Sequence, residues 1–184
     1  MATLSSFTFI TLDGYYKGPS EDTSWHHHDK EGEKYSEESL ASDSTLLFGR
    51  TTYEMMASFW PTPMAVEMFP KVAKGMNKAK KLVISSSLKS PQWKNTEVLN
   101  KNWLGEIAQL KKKTDITLLG SGSILTQLAE AGLVDQFQFM IDPVAIGKGT
   151  SIFKGLTHQL NLQLVHSRVF KSGTLLLTYE KIRT

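Results

Sequence analysis

Short apolar segments alternate with helical stretches up to about residue 140, and from there strand-like segments follow one another directly. No other feature of the chain restricts the fold as much. A strand that leads into a helix before the next strand returns parallel to its neighbour, whereas strands in direct succession pair antiparallel. The expected fold class is therefore α/β. Helices on both faces of a central, mainly parallel sheet make a three-layer α/β/α arrangement, closed by a C-terminal antiparallel hairpin. At 184 residues, with no linker-like tract, internal repeat or low-complexity run, the chain reads as one domain over 1–184.

Residues 4–12 are rich in Phe, Thr and Ile and stop at Asp13-Gly14, the pattern of a strand running into a turn. A polar loop over 14–32 carries Trp25 and three consecutive histidines. The periodicity then predicts a helix over 33–42, a strand over 45–48, a helix over 51–59 stopped by Pro61 and Pro63, and a second helical stretch over 64–78. Strands follow at 81–84 and 116–119, with an amphipathic helix over 101–113 between them. The next helix presents Ile124, Leu125, Leu128 and Ala129 on one side and ends at Gly132, a residue suited to a left-handed C-cap. Strands are expected at 133–141, 160–170 and 174–180, the last two joined by Lys171-Ser172-Gly173.

Composition narrows the functional classes. Hydrophobic residues make up 40% and charged residues 21%, ordinary values for a folded domain. Cysteine is absent, which removes disulfides and thiolate metal sites. The opening MATLSSFTFITLDG has no basic n-region, and no apolar run approaches the roughly 20 residues of a membrane span. A cytoplasmic protein without a membrane partner is expected. The net charge of +3 is mild, so the lysines bunched over 71–81 and 111–113 read as solvated helix faces, and no nucleic-acid partner is expected.

Three segments share one design, an apolar strand running into small or hydroxylated residues that open a helix or loop. They are Leu47-Phe48-Gly49-Arg50-Thr51-Thr52, Val83-Ile84-Ser85-Ser86 and Leu118-Leu119-Gly120-Ser121-Gly122-Ser123-Ile124-Leu125. In an open α/β sheet, ligands bind beyond the carboxyl ends of the strands. Glycines there let backbone N–H groups approach phosphate oxygens, and the following helix N-terminus adds a partial positive charge. Arg50 supplies a forked cation suited to phosphate. Three such segments in one chain point to a ligand with several phosphates, a dinucleotide.

The segment Gly49-Arg50-Thr51-Thr52-Tyr53-Glu54 resembles the GRxT[YW]E motif of the dihydrofolate reductase superfamily. Leu133-Val134-Asp135, Pro143-Val144-Ala145-Ile146-Gly147-Lys148-Gly149 and Ile152-Phe153 are similar to the signature of its bacterial riboflavin-biosynthesis branch, the reductase C-terminal domain. The resemblance spans essentially the whole chain and implies a dihydrofolate reductase-like fold with bound NADPH. It assigns the adenosine 2′-phosphate to Arg50 and the pyrophosphate to Thr52, with Gly49 and Thr51 beside them. Ser85 and Ser86 would flank the adenine ribose and its phosphate. The corner Gly120-Ser121-Gly122-Ser123, with Ile124 and Leu125, would cradle the pyrophosphate and nicotinamide side. It also implies a homodimer joined through the terminal strands.

Two departures matter. Ser121 stands where the corner of the family carries a second glycine, at a peptide bond that is cis in dihydrofolate reductases. The buried acid that holds the pteridine ring has no clear counterpart, Asp13, Asp29 and Glu33 all being conceivable, and Met140 stands where those enzymes place a threonine. Dihydrofolate is therefore not the expected substrate. At the substrate end the candidates are Asp13, Trp25 and His26. Asp13 is either a substrate-orienting or proton-supplying carboxylate, or simply the turn residue before Gly14. Trp25 would line the pocket with one histidine of the triplet as proton donor; a solvated loop is the other reading. Adjacent histidines on an extended chain point in different directions, so no metal site is expected. The combined expectation is an NADPH-dependent oxidoreductase passing a hydride to a small pterin- or pyrimidine-like substrate. A nucleotide- or pterin-binding protein without turnover and a stand-alone riboflavin-pathway reductase are the alternatives.

Overall fold

The computed structural model describes residues 2–41 and 43–182. Its elements run β1 (Leu4–Thr11), β2 (Tyr15–Lys17), α1 (Lys30–Leu40), β3 (Thr45–Gly49), α2 (Arg50–Phe59), α3 (Pro63–Met68), α4 (Pro70–Lys78), β4 (Lys81–Ile84) and β5 (Thr96–Leu99). They continue with α5 (Trp103–Leu110), β6 (Ile116–Leu119), α6 (Gly122–Glu130), β7 (Gln136–Asp142), β8 (Thr150–Ser151), β9 (Leu162–Val169) and β10 (Leu175–Lys181). One eight-stranded sheet has the order β5-β4-β3-β6-β1-β7-β10-β9, and β2 pairs with β8 in a small second sheet. The first six strands of that order are parallel. β10 runs antiparallel to both β7 and β9.

The three layers follow from period-two alternation along the strands. Leu46, Phe48 and Val83 face Tyr53 of α2 and Val72 and Met76 of α4. Leu47, Leu82, Ile116 and Leu118 face the other way, onto Ile107 of α5 and Leu125 and Leu128 of α6. Under α1, Phe7 and Phe9 of β1 pack with Tyr35, Met140, Phe170 and Leu176. Each wholly buried leucine contributes about 1.5–3 kcal/mol by leaving water.

Local chemistry moves several boundaries away from the sequence expectation. α1 starts at Lys30 rather than 33 because Asp29 caps it, its Oδ1 accepting from Gly32 N at 2.6 Å; Ser42, its expected end, lies outside the described residues. The expected helix over 64–78 is two helices. Thr62 caps α3, Phe69 breaks it at φ −135° and ψ 61°, and Pro70 opens α4, where a missing N–H costs nothing. The four-residue β5 is a strand that the polar pattern TEVL concealed. β7 begins only at Gln136, because the Asp135 carboxylate turns back to accept from Leu4 N (2.8 Å) and from Lys111 Nζ (2.7 Å). Gly132 caps α6 at φ +68°, as expected.

Lys81 corrects the reading of the 71–81 lysines as a solvated face. Its side chain is completely buried. Nζ donates to the carbonyls of Ala79 (2.6 Å), Lys94 (3.1 Å) and Asn77 (3.3 Å) and lies 4.6 Å from the centre of the Trp93 ring. It thereby ties the end of α4 to the connection that enters β5. The apolar strand of the hairpin, β10, is an interior strand, and the edge position belongs to β9.

Candidate functional site

Parallel strands end on one side, so the sheet order sets a line of loops along its carboxyl edge. From Ser85 after β4, the line passes Gly49-Arg50 after β3, Gly120-Ser121 after β6, Leu12 after β1 and Asp142 at the end of β7. Adjacent strands are about 4.8 Å apart, so this edge spans roughly 20 Å.

At one end a cleft of about 430 Å³ is lined by Arg50, Ile84, Ser85, Ser86, Ser87, Asn100 and Trp103. Ser85 is buried, and its Oγ accepts from Ser87 N (3.2 Å) and Leu88 N (3.0 Å), which holds the serine loop in shape. The Arg50 side chain is half exposed, and its contact with Glu54 at 3.8 Å is a loose i,i+4 pair. Such a pair contributes only about 0.3–0.5 kcal/mol, so the guanidinium is free to take a stronger anion. Asn100 and Trp103 are not among the residues that the sequence places at this site. They reach this cleft only through the β4–β5 pairing, which a single sequence does not reveal.

At the centre, α2 and α6 both begin without a side-chain cap, so the N–H groups of their first turns point outward unmatched by any side chain. Helices α1 and α3, by contrast, are capped by Asp29 and Thr62. Gly120 (φ +62°) and Ser121 (φ 61°) are both left-handed, and no peptide bond among the described residues is cis, the Gly120-Ser121 bond included. Thr52 is buried against this corner, with its methyl group 3.3 Å from where a β-carbon on Gly120 would sit. Thr51 is exposed, and Tyr53 has a structural role, its hydroxyl accepting from Trp93 N at 3.1 Å.

The corner also removes residues from the expected cofactor set. The N–H groups of Ile124 and Leu125 both donate to Ser121 O at 3.0 Å, and both side chains are buried in the core. The left-handed Ser121 turns its carbonyl into the first turn of α6, and neither residue presents a group to a ligand. The Ser121 hydroxyl lies over Gly49, and Gly122 is covered by the Tyr16 ring. What remains for an anion is Gly120 with Thr52 beside it, the start of α6 at Ser123, the start of α2, and Arg50.

At the far end stands a group the sequence reading missed. Asp142 is completely buried, Oδ2 being 2.7 Å from His26 Nδ1 and Oδ1 accepting from the Thr174 hydroxyl at 3.4 Å. The signal was an acidic residue closing an apolar strand on the ligand-binding edge, in Ile141-Asp142-Pro143. The His26 ring stacks on Phe9 (3.9 Å) and meets His28 edge-on (4.6 Å). Burial, with the His26 charge beside it, holds His28 below the usual imidazole range. Trp25 is buried next to His26, and its Nε1 has no hydrogen-bond partner among the described residues.

Asp13 is placed differently. It is exposed, and its carboxylate accepts from the Thr11 hydroxyl (2.6 Å), Gly147 N (2.7 Å) and Ile146 N (3.1 Å). The Thr11 hydrogen bond is the main reason its carboxyl sits below the ordinary range. Such a group secures a loop and is poorly suited to giving up a proton. Structure thus brings Trp25 and His26 together, while the Asp13 carboxylate is engaged with Thr11 and the 146–147 backbone, in the turn reading that the sequence also allowed.

The family model of the RibD C-terminal domain matches residues 2–176. This chain belongs to the RibD C-terminal domain family. One relative, the uncharacterized protein YyaP of Bacillus subtilis (strain 168), is 30% identical over 173 residues, which cover 92% of this chain and 90% of the relative. A putative riboflavin biosynthesis protein from Shewanella sp. PV-4 has a solved structure that superposes with a TM-score of 0.75 at 21% identity, covering 100% of both chains. Dihydrofolate reductase from Enterococcus faecalis, solved with NADP(H), superposes with a TM-score of 0.65 at 18% identity over 97% of this chain and 96% of that one. The RibD C-terminal domain fold is thus the dihydrofolate reductase-like fold, and no helix among the described residues is long and apolar enough to cross a membrane.

Proposed function

We propose that the protein is an NADPH-dependent reductase that passes a hydride to a small, flat, pterin- or pyrimidine-like substrate. The carrying observation is the meeting of two uncapped helix N-termini, α2 and α6, one strand apart and beside Arg50. Uncapped N–H groups and a forked cation suit the pyrophosphate and 2′-phosphate of such a cofactor. Arg50 with Ser85 and Ser86 would hold the 2′-phosphate, while Thr52, Gly120 and the start of α6 would hold the pyrophosphate. When bound, the cofactor supplies the hydride, and the protein orients it towards the His26 end of the edge. Family membership and the NADP(H) bound in the Enterococcus faecalis enzyme support this reading.

A second reading is a stand-alone reductase for 5-amino-6-(5-phosphoribosylamino)uracil, supported by the end-to-end match to the Shewanella protein. Homodimerisation belongs to the same proposal, with β9 as the joining strand.

A fluorescence titration with NADPH and NADH, run on wild type and Arg50→Ala, tests the cofactor assignment. An arginine–phosphate hydrogen-bonded pair contributes about 1.5–3 kcal/mol, so NADPH should bind roughly 10- to 100-fold tighter than NADH. Arg50→Ala should abolish that preference. Equal affinities in the wild type would sink the assignment.

A further inference from the structure

Asp142 is the one carboxylate among the described residues that is buried, and its partner, the His26 imidazole, is lent by a loop 116 residues away in sequence. Stability alone does not call for this arrangement, since a well-packed apolar pair avoids the desolvation of a buried carboxylate. The position is also telling. Asp142 pairs in register with Thr11 at the carboxyl edge, two strands from the glycine corner, which is about 10 Å.

The His26 ring is fixed on three sides, by Asp142 at Nδ1, by Phe9 on one face and by His28 at an edge. Nε2 has no partner among the described residues and is the nitrogen left to meet a ligand. The neighbouring Trp25 adds an independent sign, a buried Nε1–H without an acceptor among the described residues. Buried donors are seldom left unmet in native proteins, and a ligand carbonyl is one way to satisfy this one. The charged or titratable groups around His26 are Asp142 from β7, with His28 and Asp29 from its own loop and cap. β1 contributes only the apolar ring of Phe9.

We propose that His26 is the proton donor of the substrate subsite and that Asp142 positions it, for substrates in which a C=O or C=N bond of a flat, uncharged compound is reduced. The inference rests on the reductase reading above. In the step, the carbon of the double bond accepts a hydride with its electron pair, and the π pair moves onto the oxygen or nitrogen. That atom takes the proton from His26 Nε2. The imidazole is left neutral with its Nδ1–H still on Asp142, and water restores the lost proton once the product leaves. The substrate gains two hydrogens, and one positive charge passes from the imidazolium to the oxidised nicotinamide.

Histidine ¹⁵N NMR reads which nitrogen carries a proton, with no need of turnover. The expected result is a protonated His26 Nδ1 between about pH 6 and 8 in the wild type, with the opposite tautomer in Asp142→Asn. Affinity for NADPH should be unchanged in Asp142→Asn and His26→Gln. NADPH oxidation is then followed against a panel of cyclic diketones, quinones, cyclic imines and activated alkenes. Turnover of carbonyl or imine members should fall about tenfold per pH unit on the alkaline side. His26→Gln should lower it about 100-fold and flatten the profile. An unprotonated Nδ1 in the wild type overturns the inference even if the variants fail to fold. So does a profile unchanged in His26→Gln, or NADPH-bound protein that reduces only alkenes or nothing in the panel. Loss of NADPH binding with the wild-type tautomer as expected would instead overturn the cofactor reading.

Discussion

The Ser121 hydroxymethyl group occupies the space that a β-carbon on Gly49 would need, so the ends of β3 and β6 can approach only because residue 49 is glycine. The two starts of α2 and α6 meet at this contact. Gly49→Ala should therefore destabilise the protein by about 1–3 kcal/mol, the usual cost of overpacking. Ser121→Gly should be neutral or mildly stabilising, because residue 121 is left-handed at φ 61°. The double variant should recover only part of the loss, since Ile124 Cγ1 would still lie 3.3 Å from the new methyl group. Denaturant midpoints of the four proteins give the coupling, expected at about 1 kcal/mol. Strictly additive effects would mean that the two side chains do not compete for this space.

The loop role of Asp13 separates it from the His26 end in a measurable way. Asp13→Ala removes the acceptor for the amides of Ile146 and Gly147. Hydrogen exchange at those two amides should accelerate, while the His26–Asp142 pairing and the affinity for NADPH stay as in the wild type. Protection unchanged at residues 146 and 147 would show that the carboxylate does not hold the loop.

The parts of the fold legible in the sequence were those set by local pattern. The strand–helix order, the three openings at Gly49, Ser85 and Gly120, the cap at Gly132 and the terminal hairpin all depend on neighbours within a few residues. What stayed hidden depends on strand order. Asp142 could be matched with His26 only once β7 was known to lie beside β1, and Asn100 and Trp103 reach the serine cleft only through the β4–β5 pairing. Lys81 was misread for the same reason. A lysine opening a strand reads as exposed until the carbonyls of Asn77, Ala79 and Lys94 are seen to converge on it. The removal of Leu125 from the cofactor set follows from one left-handed residue, which the GSGS pattern permits without requiring.

Lys81 should give the protein an unusual alkaline stability profile. Burial pushes its amine down to about 8 from an ordinary 10.5. Below the lower value both folded and unfolded chains hold the proton; between the two values only the unfolded chain does. Stability therefore rises with pH across that window, by up to about 3 kcal/mol if the whole shift is realised. Urea unfolding of wild type and Lys81→Met, at intervals across the window, isolates the contribution of this one group. The wild type should gain stability relative to the variant as pH rises, and parallel curves would mean that the buried amine titrates normally.

The strand β9 should decide the oligomeric state. It is an eight-residue strand at the end of the sheet order, with its register against β10 shifted at Val165, and it exposes Leu164, Val165 and, at 74%, Val169. Natural edge strands are normally short, bulged outward, or guarded by lysine or proline. The register shift at Val165, with the polar Gln163, His166 and Arg168, gives β9 only partial protection of that kind. Pairing with a second copy would cover both the unpaired backbone groups and the apolar side chains. Light scattering should report about twice the chain mass of 20.6 kDa for the wild type. Leu164→Lys and Val169→Glu, each placing charge on this edge, should shift the protein to monomer without altering the pairing of His26 with Asp142, which lies two strands in from β9. A wild type that remains a monomer at all accessible concentrations would rule out β9 as a joining strand, and a dimer insensitive to both substitutions would place the interface elsewhere.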